Sequence, residues 1–534
     1  MSVFNAESLL FEPTPVTTDA VPLIFAFPNC YSVGITSLGY QVVWALLSGR
    51  QDLSVSRLFT DAGEALPSAP ELVGFSVSWE LDYAHILDLL ERLDIPVRAS
   101  QRTDAHPLVF GGGPVLSANP EPFADFFDVV LLGDGELLLH CFIDAYQQVR
   151  HQPRAVQYRH LAQVPGVYVP SLYDVRYEGP EGAIAQITAL DSTVPARVQK
   201  QTYRGNTLST STVVTEKAAW ENIYMVEVVR SCPELCRFCL ASYSTLPFRT
   251  PSVERTLIPA IERGLQVTRR IGLLGASVTQ HPEFDDLLDY FARPDCDDVR
   301  LSIASVRTNT VTQRLARILS THDTRSITIA IESGSQRLRQ IVNKKLENDS
   351  IFTAAAAAKA GGLSSLKLYG MAGVPGETET DLDATVDLLT DLKRAVPGLR
   401  LTYGCSTFVP KAHTPFQWFG VQLLAEKRLQ KLQKHLRQQG IDFRPESYSW
   451  SVIQALISRG DRRLSPLLER ARQYGDSLGS YRRAFKEMRG QLPPLEFYVH
   501  RDWSLNAVLP WSHLLGPLPQ SALEKHRDEA IALF

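Results

Sequence analysis

Two stretches of this chain repeat one local pattern, a short apolar run of strand length followed by a helix-length segment, and that repetition restricts the fold more than any other feature. In the first stretch, strand candidates fall at 21–28, 54–59, 72–79, 108–111 and 128–132, with helices near 39–48, 81–93 and 136–149. Short apolar strands alternating with helices imply a parallel sheet covered on both faces. Residues 1–150 are therefore expected to form a Rossmann-like α/β domain. The second stretch has strand candidates at 223–229, 270–274, 299–305, 326–331, 365–370 and 400–408, separated by helical segments such as the alanine-rich run that ends at Gly361-Gly362. Six such units over 216–420 suggest an open, partial (β/α)6 barrel. Between the two, 151–215 carries Pro165, Pro170, Pro180 and Pro195 without a sustained helical period, and it is expected to be a connector with short strands. The remainder, 421–534, is mostly helical and is expected to form a C-terminal accessory region.

A chain of 534 residues needs more than one core. With 44% hydrophobic and 21% charged residues it has the composition of a protein that buries its apolar side chains, not of a disordered one. Its longest apolar runs fall short of the roughly 20 residues that span a bilayer, and MSVFNAESLLFEPTP lacks the basic segment and apolar run of a secretory signal. A cytoplasmic location is expected. The net charge of −4 argues against a dedicated nucleic-acid binder. Fifteen Lys and Arg face seven Asp and Glu between 421 and 490, an excess that on helices usually marks a solvated face.

Of seven cysteines, Cys30, Cys141, Cys296 and Cys405 are scattered, while Cys232, Cys236 and Cys239 crowd into eight residues of VEVVRSCPELCRFCLASYS. That is no disulfide framework. Three thiolates spaced x3 then x2, directly after an apolar strand, suit three irons of a cubane cluster, which leaves the fourth iron open. An open iron chelates the amino and carboxylate groups of S-adenosylmethionine (SAM), and an electron from the reduced cluster then cleaves the sulfonium to a 5′-deoxyadenosyl radical. A tetrahedral zinc site competes poorly, because no His and no fourth Cys lies within about twenty residues of the loop.

With Phe238 just before the last cysteine, C-x3-C-x2-C resembles the signature of the radical SAM superfamily. The resemblance implies a radical SAM core in 216–420, a 4Fe-4S cluster on Cys232, Cys236 and Cys239, and Phe238 near the adenine. GLLGASVTQHPEF places Gly275 and Ala276 where the family has a glycine-containing turn near the methionyl amine, although the common Gly-Glu pair is missing. LSIASVRTNTVT brings Ser305 and Arg307 to the end of the third strand, with Arg307 expected at the SAM carboxylate or, alternatively, as a surface arginine. ITIAIESGSQRLRQIVNKKL resembles the fourth-strand segment of relatives of the methylthiotransferases, with Glu332 expected at the ribose hydroxyls or, alternatively, paired with Arg337 or Arg339. KLYGMAGVPGETETDL contributes Gly370 and Gly373 beside the adenine, and STFVPKAHTPFQW resembles the sixth-strand exit, with Lys411 facing substrate or solvent.

In cobalamin-binding Rossmann domains the loop after the first strand carries D-x-H-x-x-G, whose His ligates cobalt. Here that loop reads Asn29-Cys30-Tyr31-Ser32-Val33-Gly34, so the glycine is kept and the Asp and His are not. Ser76 and the run Gly111-Gly112-Gly113 stand where the family contacts the nucleotide tail. The whole arrangement resembles uncharacterised radical SAM proteins with a fused cobalamin-binding-type domain, a likeness that extends to RGDRR at 459–463 and LPWSHL at 509–514. It implies a radical SAM enzyme, with methyl transfer through cobalamin as one outcome and an electron donor such as a flavodoxin or ferredoxin as partner. If cobalamin binds, it does so without a protein histidine on cobalt. A cobalamin-free enzyme modifying RNA or protein, and an Fe-S protein that binds RNA without turnover, stay open as alternatives.

Overall fold

The structure, a computed structural model, describes residues 2–304 and 306–534. The chain folds into two compact units, each assembled from separated pieces of sequence. Met1–Arg204, Ser211–Asn222 and Ile453–Pro519 make the first, and Gly205–Thr210, Ile223–Val452 and Gln520–Phe534 make the second.

The first unit is built on β1 (Val21–Ala26), β2 (Leu53–Leu58), β3 (Leu72–Ser76), β4 (Leu108–Gly112), β5 (Val129–Leu131) and β6 (Val167–Tyr168). They lie in the order β2-β1-β3-β4-β5-β6, with only β6 antiparallel to its neighbour. Consecutive residues of β1 and β3 point to opposite faces, yet Leu23, Ile24, Leu72 and Val73 are all buried, as a sheet covered on both sides requires. The strand order reverses between β1 and β3. In open parallel sheets, ligand crevices form at the carboxyl ends of the strands at such a reversal.

The region expected as a connector adds β6, the helix Arg154–Leu161 and the hairpin Tyr173–Tyr177/Ile184–Ala189 to this unit. The expected accessory region is not one body, since its part 453–519 also belongs to the first unit. Asn119 donates from its side-chain amide to the carbonyls of Ser458 and Gly460 at 3.1 and 2.8 Å. Arg462 reaches the fully buried Glu121 at 2.9 Å, and Tyr83 and Tyr481 share a hydrogen bond at 2.9 Å. These partners lie more than 300 residues apart in sequence, beyond the reach of periodicity.

In the second unit β7 (Tyr224–Glu227), β8 (Arg270–Leu274) and β9 (Arg300–Ile303) form one parallel sheet. A second parallel sheet contains β10 (Ser326–Glu332), β11 (Ser365–Ala372), β12 (Arg400–Thr407) and β13 (Asp442–Pro445). A parallel bridge between Val306 and Ile329 joins the two into a partial barrel. Six strands match the expected six, and β13, drawn from the expected accessory region, adds a seventh. The alanine-rich helix Asn348–Ala360 ends as the sequence foretold, with Gly362 in the left-handed region at φ +97°. Among the described residues no helix is long and apolar enough to cross a membrane.

Candidate active site

The cysteine loop leaves β7 and is held in shape by protein alone. Ser231 and Leu235 take left-handed conformations, φ +70° and +53°. The Asn343 side-chain amide donates to the carbonyls of Glu234 and Leu235 at 3.2 and 2.9 Å, and the Tyr243 hydroxyl donates to Leu235 at 3.0 Å. The Arg237 N–H donates to the Val342 carbonyl at 3.0 Å. Its guanidinium donates to the carbonyls of Gln340 and Ile341 at 2.9 and 2.8 Å and pairs with Glu529 at 3.0 Å. The helices Gln336–Ile341 and Gln520–Ile531 therefore clamp this loop.

Cys232 and Cys236 are buried, and Cys239 is half-buried. Burial pushes the Cys236 thiol up to about 12 and raises that of Cys239, so both hold their protons until a metal displaces them. A cubane takes one thiolate on each of three irons, so its ligands stand apart instead of converging on a point. Among the described residues no three His, Cys, Asp or Glu side chains converge on a single-ion site. A loop tied down by these bonds and carrying three free thiols, two of them buried, fits a cubane. Phe238 packs beside them against the apolar cluster of Leu338, Ile341, Phe408 and Phe416.

Around this loop the barrel gathers several of the residues expected at SAM. Gly275, at φ +149°, lets the end of β8 cross the exit of β7, where a Cβ would lie 2.6 Å from the Val229 carbonyl oxygen. Ala276 beside it is exposed. Arg307 is buried and engaged by protein, pairing with Glu234 of the cysteine loop at 3.0 Å and donating to the carbonyls of Lys344 and Lys345 at 3.0 and 3.3 Å. Glu332 ends β10 at φ +63°, and Lys344 donates to its Oε1 at 2.8 Å. Its ion-pair partner is thus Lys344 and neither Arg337, which pairs with Asp381, nor Arg339, which serves Ser333, Leu346 and Asn348. Ser305 lies outside the described residues.

Gly370 and Gly373 have packing reasons of their own. A Cβ on Gly370 would lie 2.6 Å from the Glu332 carbonyl oxygen, and one on Gly373 would lie 2.6 Å from Ala425. The Gly373 N–H donates to Glu377 at 2.6 Å, a carboxyl that burial pushes up to about 7 against the pull of Arg428. Sequence reasoning missed Glu234, Tyr243, Asn343 and Lys344. The only signal was the polar run Asn343-Lys344-Lys345 directly after an amphipathic helix.

The first unit treats its motif differently. Tyr31, standing where the family's cobalt-ligating His would be, is buried against Phe4 and Phe59, and its hydroxyl donates to Glu7 at 2.5 Å. Glu7 is in turn held by Arg57 through two bonds at 2.8 and 2.7 Å, and the guanidinium lies over the Trp44 ring. Burial raises the phenol pKa, and the Glu7 carboxylate adds to the rise. This phenol is a core strut with no face left for a metal. Gly34 and Gly111 are core contacts as well, since a Cβ at either would meet an aromatic ring at 2.6 Å, Phe59 and Phe127 respectively. Gly113, at φ +107°, passes against the Val77 backbone, while Gly112 pairs in register with the half-buried Ser76.

At the β1/β3 reversal itself the Asn29 amide donates to Asp82 at 3.0 Å, and His85 bonds the Pro28 carbonyl at 2.9 Å. Glu80 accepts from Gln454 and Ser458 at 3.1 and 3.0 Å, and Trp79 stands exposed. Burial pushes the Asp82 carboxyl up to about 6, with Asn29 pulling the other way.

Comparison with known proteins agrees with this architecture. Residues 67–170 match the family model for the N-terminal part of radical SAM proteins, and residues 226–389 match that of the radical SAM superfamily. An uncharacterised protein of Methanocaldococcus jannaschii is 26% identical over 445 residues, covering 83% of this chain and 89% of that one. A tRNA-2-methylthio-N(6)-dimethylallyladenosine synthase of Rickettsia typhi is 27% identical over 254 residues, 44% of this chain and 54% of that enzyme. Among solved structures, the radical SAM methyltransferase TsrM from Kitasatospora setae, with cobalamin and a 4Fe-4S cluster bound, has the same fold. It superposes with a TM-score of 0.51 over 88% of this chain and 99% of its own, at 14% identity. With both family models matched in chain order and three closely spaced free cysteines after the first barrel strand, this chain is a radical SAM enzyme, working with a 4Fe-4S cluster and SAM.

Proposed function

We propose that Cys232, Cys236 and Cys239 hold the cluster and that SAM binds at the carboxyl ends of β8 to β11. In this reading the first unit carries cobalamin as the methyl carrier for an unidentified substrate, and an external donor such as a flavodoxin or ferredoxin delivers the electron. The observation that carries the proposal is the cysteine loop, held by Asn343, Arg237 and Tyr243 with Cys232 and Cys236 buried and Cys239 half-buried. The bound cluster supplies an open iron that chelates the SAM amino and carboxylate groups and an electron that cleaves the sulfonium. The protein does the rest. Phe238 offers a flat apolar face for the adenine, the Gly275 turn brings backbone close to the methionyl end, and Glu332, aimed inward by its left-handed backbone, accepts from the ribose. Arg307 ties the third strand end to the loop through Glu234.

For the first unit, the β1/β3 crevice with Asn29, Trp79, Asp82 and His85 supports a ligand site by its position. Cobalamin bound there would supply a methyl carrier, and Tyr31, committed to Glu7, would not serve as its ligand.

The test is anaerobic reconstitution with iron and sulfide, with and without hydroxocobalamin, followed by spectra and a 5′-deoxyadenosine assay under dithionite. Deoxyadenosine together with a corrinoid retained through gel filtration is the expected result. Deoxyadenosine without retained corrinoid would remove the methyl-transfer part, and a chain that takes up no cluster would overturn the whole proposal.

A further inference from the structure

Lys344 has no place in the chemistry above, yet it is among the most tightly fixed cations of the second unit. The turn after Gln336–Ile341 passes through Asn343 and Lys345 in left-handed conformations, φ +57° and +39°. Between them the Lys344 N–H donates to the Arg339 carbonyl at 2.7 Å, and its own carbonyl accepts from Arg307 at 3.0 Å. Its ammonium donates to Glu332 at 2.8 Å, with only 11% and 10% of the two side chains exposed. The preceding Asn343 grips the carbonyls of residues 234 and 235, within the segment that separates Cys232 from Cys236. The Lys344 backbone and the neighbouring Asn343 thus tie this segment to the cluster loop, while Glu332 fixes the charged amine.

The nearby charges pair off as Lys344 with Glu332 and Arg307 with Glu234, with Lys345 a more distant partner of Glu234 at 3.8 Å. Burial is the largest influence and opposes the ammonium, but Glu332, through its charge and its hydrogen bond, and the nearby Cys236 together hold the lysine pKa above its ordinary value, so the amine stays charged at neutral pH. Three thiolates and a cluster add negative charge that neither ion pair was needed to balance. A fixed cation in such dry surroundings favours the more negative, reduced form.

We propose that Lys344 is a positioning residue that raises the reduction potential of the cluster, with Glu332 fixing where its charge sits. The inference rests on the cluster reading above. The experiment is a potentiometric titration followed by electron paramagnetic resonance on the reconstituted full chain, for wild type, Lys344→Met, Lys344→Gln and Lys344→Arg. The neutral variants should bind iron as wild type does while their one-electron reduction becomes at least tenfold less favourable, about 59 mV more negative. Lys344→Arg should stay within about threefold of wild type, less than one tenfold step. Neutral variants with an unchanged potential would overturn the proposal. So would failure of both neutral variants to take up iron while the arginine variant succeeds, since the amine would then be a scaffold. A wild-type chain that takes up no cluster would instead sink the cluster reading itself.

Discussion

The loops after β1 and β7 occupy the same place in their two sheets, at the carboxyl end of the first parallel strand, and the chain uses them in opposite ways. After β7 the functional side chains are spared. Backbone carbonyls of the loop are taken up by Asn343 and Tyr243, its Arg237 is tied to the carbonyls of residues 340 to 342, and none of the three thiols is spent on a disulfide. After β1 the side chain at the family's ligand position is consumed, with the Tyr31 phenol bonded to Glu7 and enclosed by Phe4 and Phe59. A site is recognised by what its side chains are still free to do. A matched position alone does not make a ligand.

The strongest way to break the comparison is Cys236→Ala, expected to abolish stable iron binding and all deoxyadenosine formation; either surviving in an anaerobic iron and product assay would refute the role given to this loop. Next comes Asn343→Ala, which strands the Glu234 carbonyl, while Leu235 keeps its bond from Tyr243, at about 1–3 kcal/mol for a buried unsatisfied group. Iron content after reconstitution should fall several-fold while the first unit keeps its thermal transition, and full occupancy would show that the cluster orders the loop by itself.

Asp82 sharpens the other side through pH. Its folded pKa, about 6, lies above the unfolded value near 3.8, so the folded chain holds this proton more tightly. Its contribution to stability is therefore full below about 3.8 and lost as pH rises through about 6, and two pKa units bound it at about 3 kcal/mol. Wild type minus Asp82→Asn, compared by denaturant unfolding across pH 4 to 7, should decline with rising pH; a flat difference would mean the crevice is wetter than its geometry suggests. The smallest effect is expected of Tyr31→Phe, about 1 kcal/mol for one lost hydrogen bond, because Arg57 still holds Glu7. Deoxyadenosine formation and corrinoid retention should match wild type, whereas loss of corrinoid alone would return Tyr31 to a ligand role.

Local sequence was enough for everything governed by period and spacing. The apolar runs of β1 to β5 and β7 to β12 lie within a few residues of where alternation put them, because a parallel strand buried on both faces must be continuously apolar over a short length. The C-x3-C-x2-C spacing likewise marked the cluster loop, since the cysteines carry the chemistry themselves.

What remained hidden depends on contacts that no local pattern encodes. Asn343 meets the loop more than 100 residues away, Glu529 reaches Arg237 across 292, and the Tyr83–Tyr481 bond spans 398. These contacts decide which groups are free, which are paired and where the units divide. Hence the sequence alone determined the two strand-and-helix stretches and the close spacing of three cysteines. Tertiary structure alone decided that 453–519 completes the first unit, that β13 extends the barrel, that Lys344 partners Glu332 and that Tyr31 is a strut. Burial and pairing are properties of the packed chain, and a side chain's chemistry is set by the neighbours that packing brings to it.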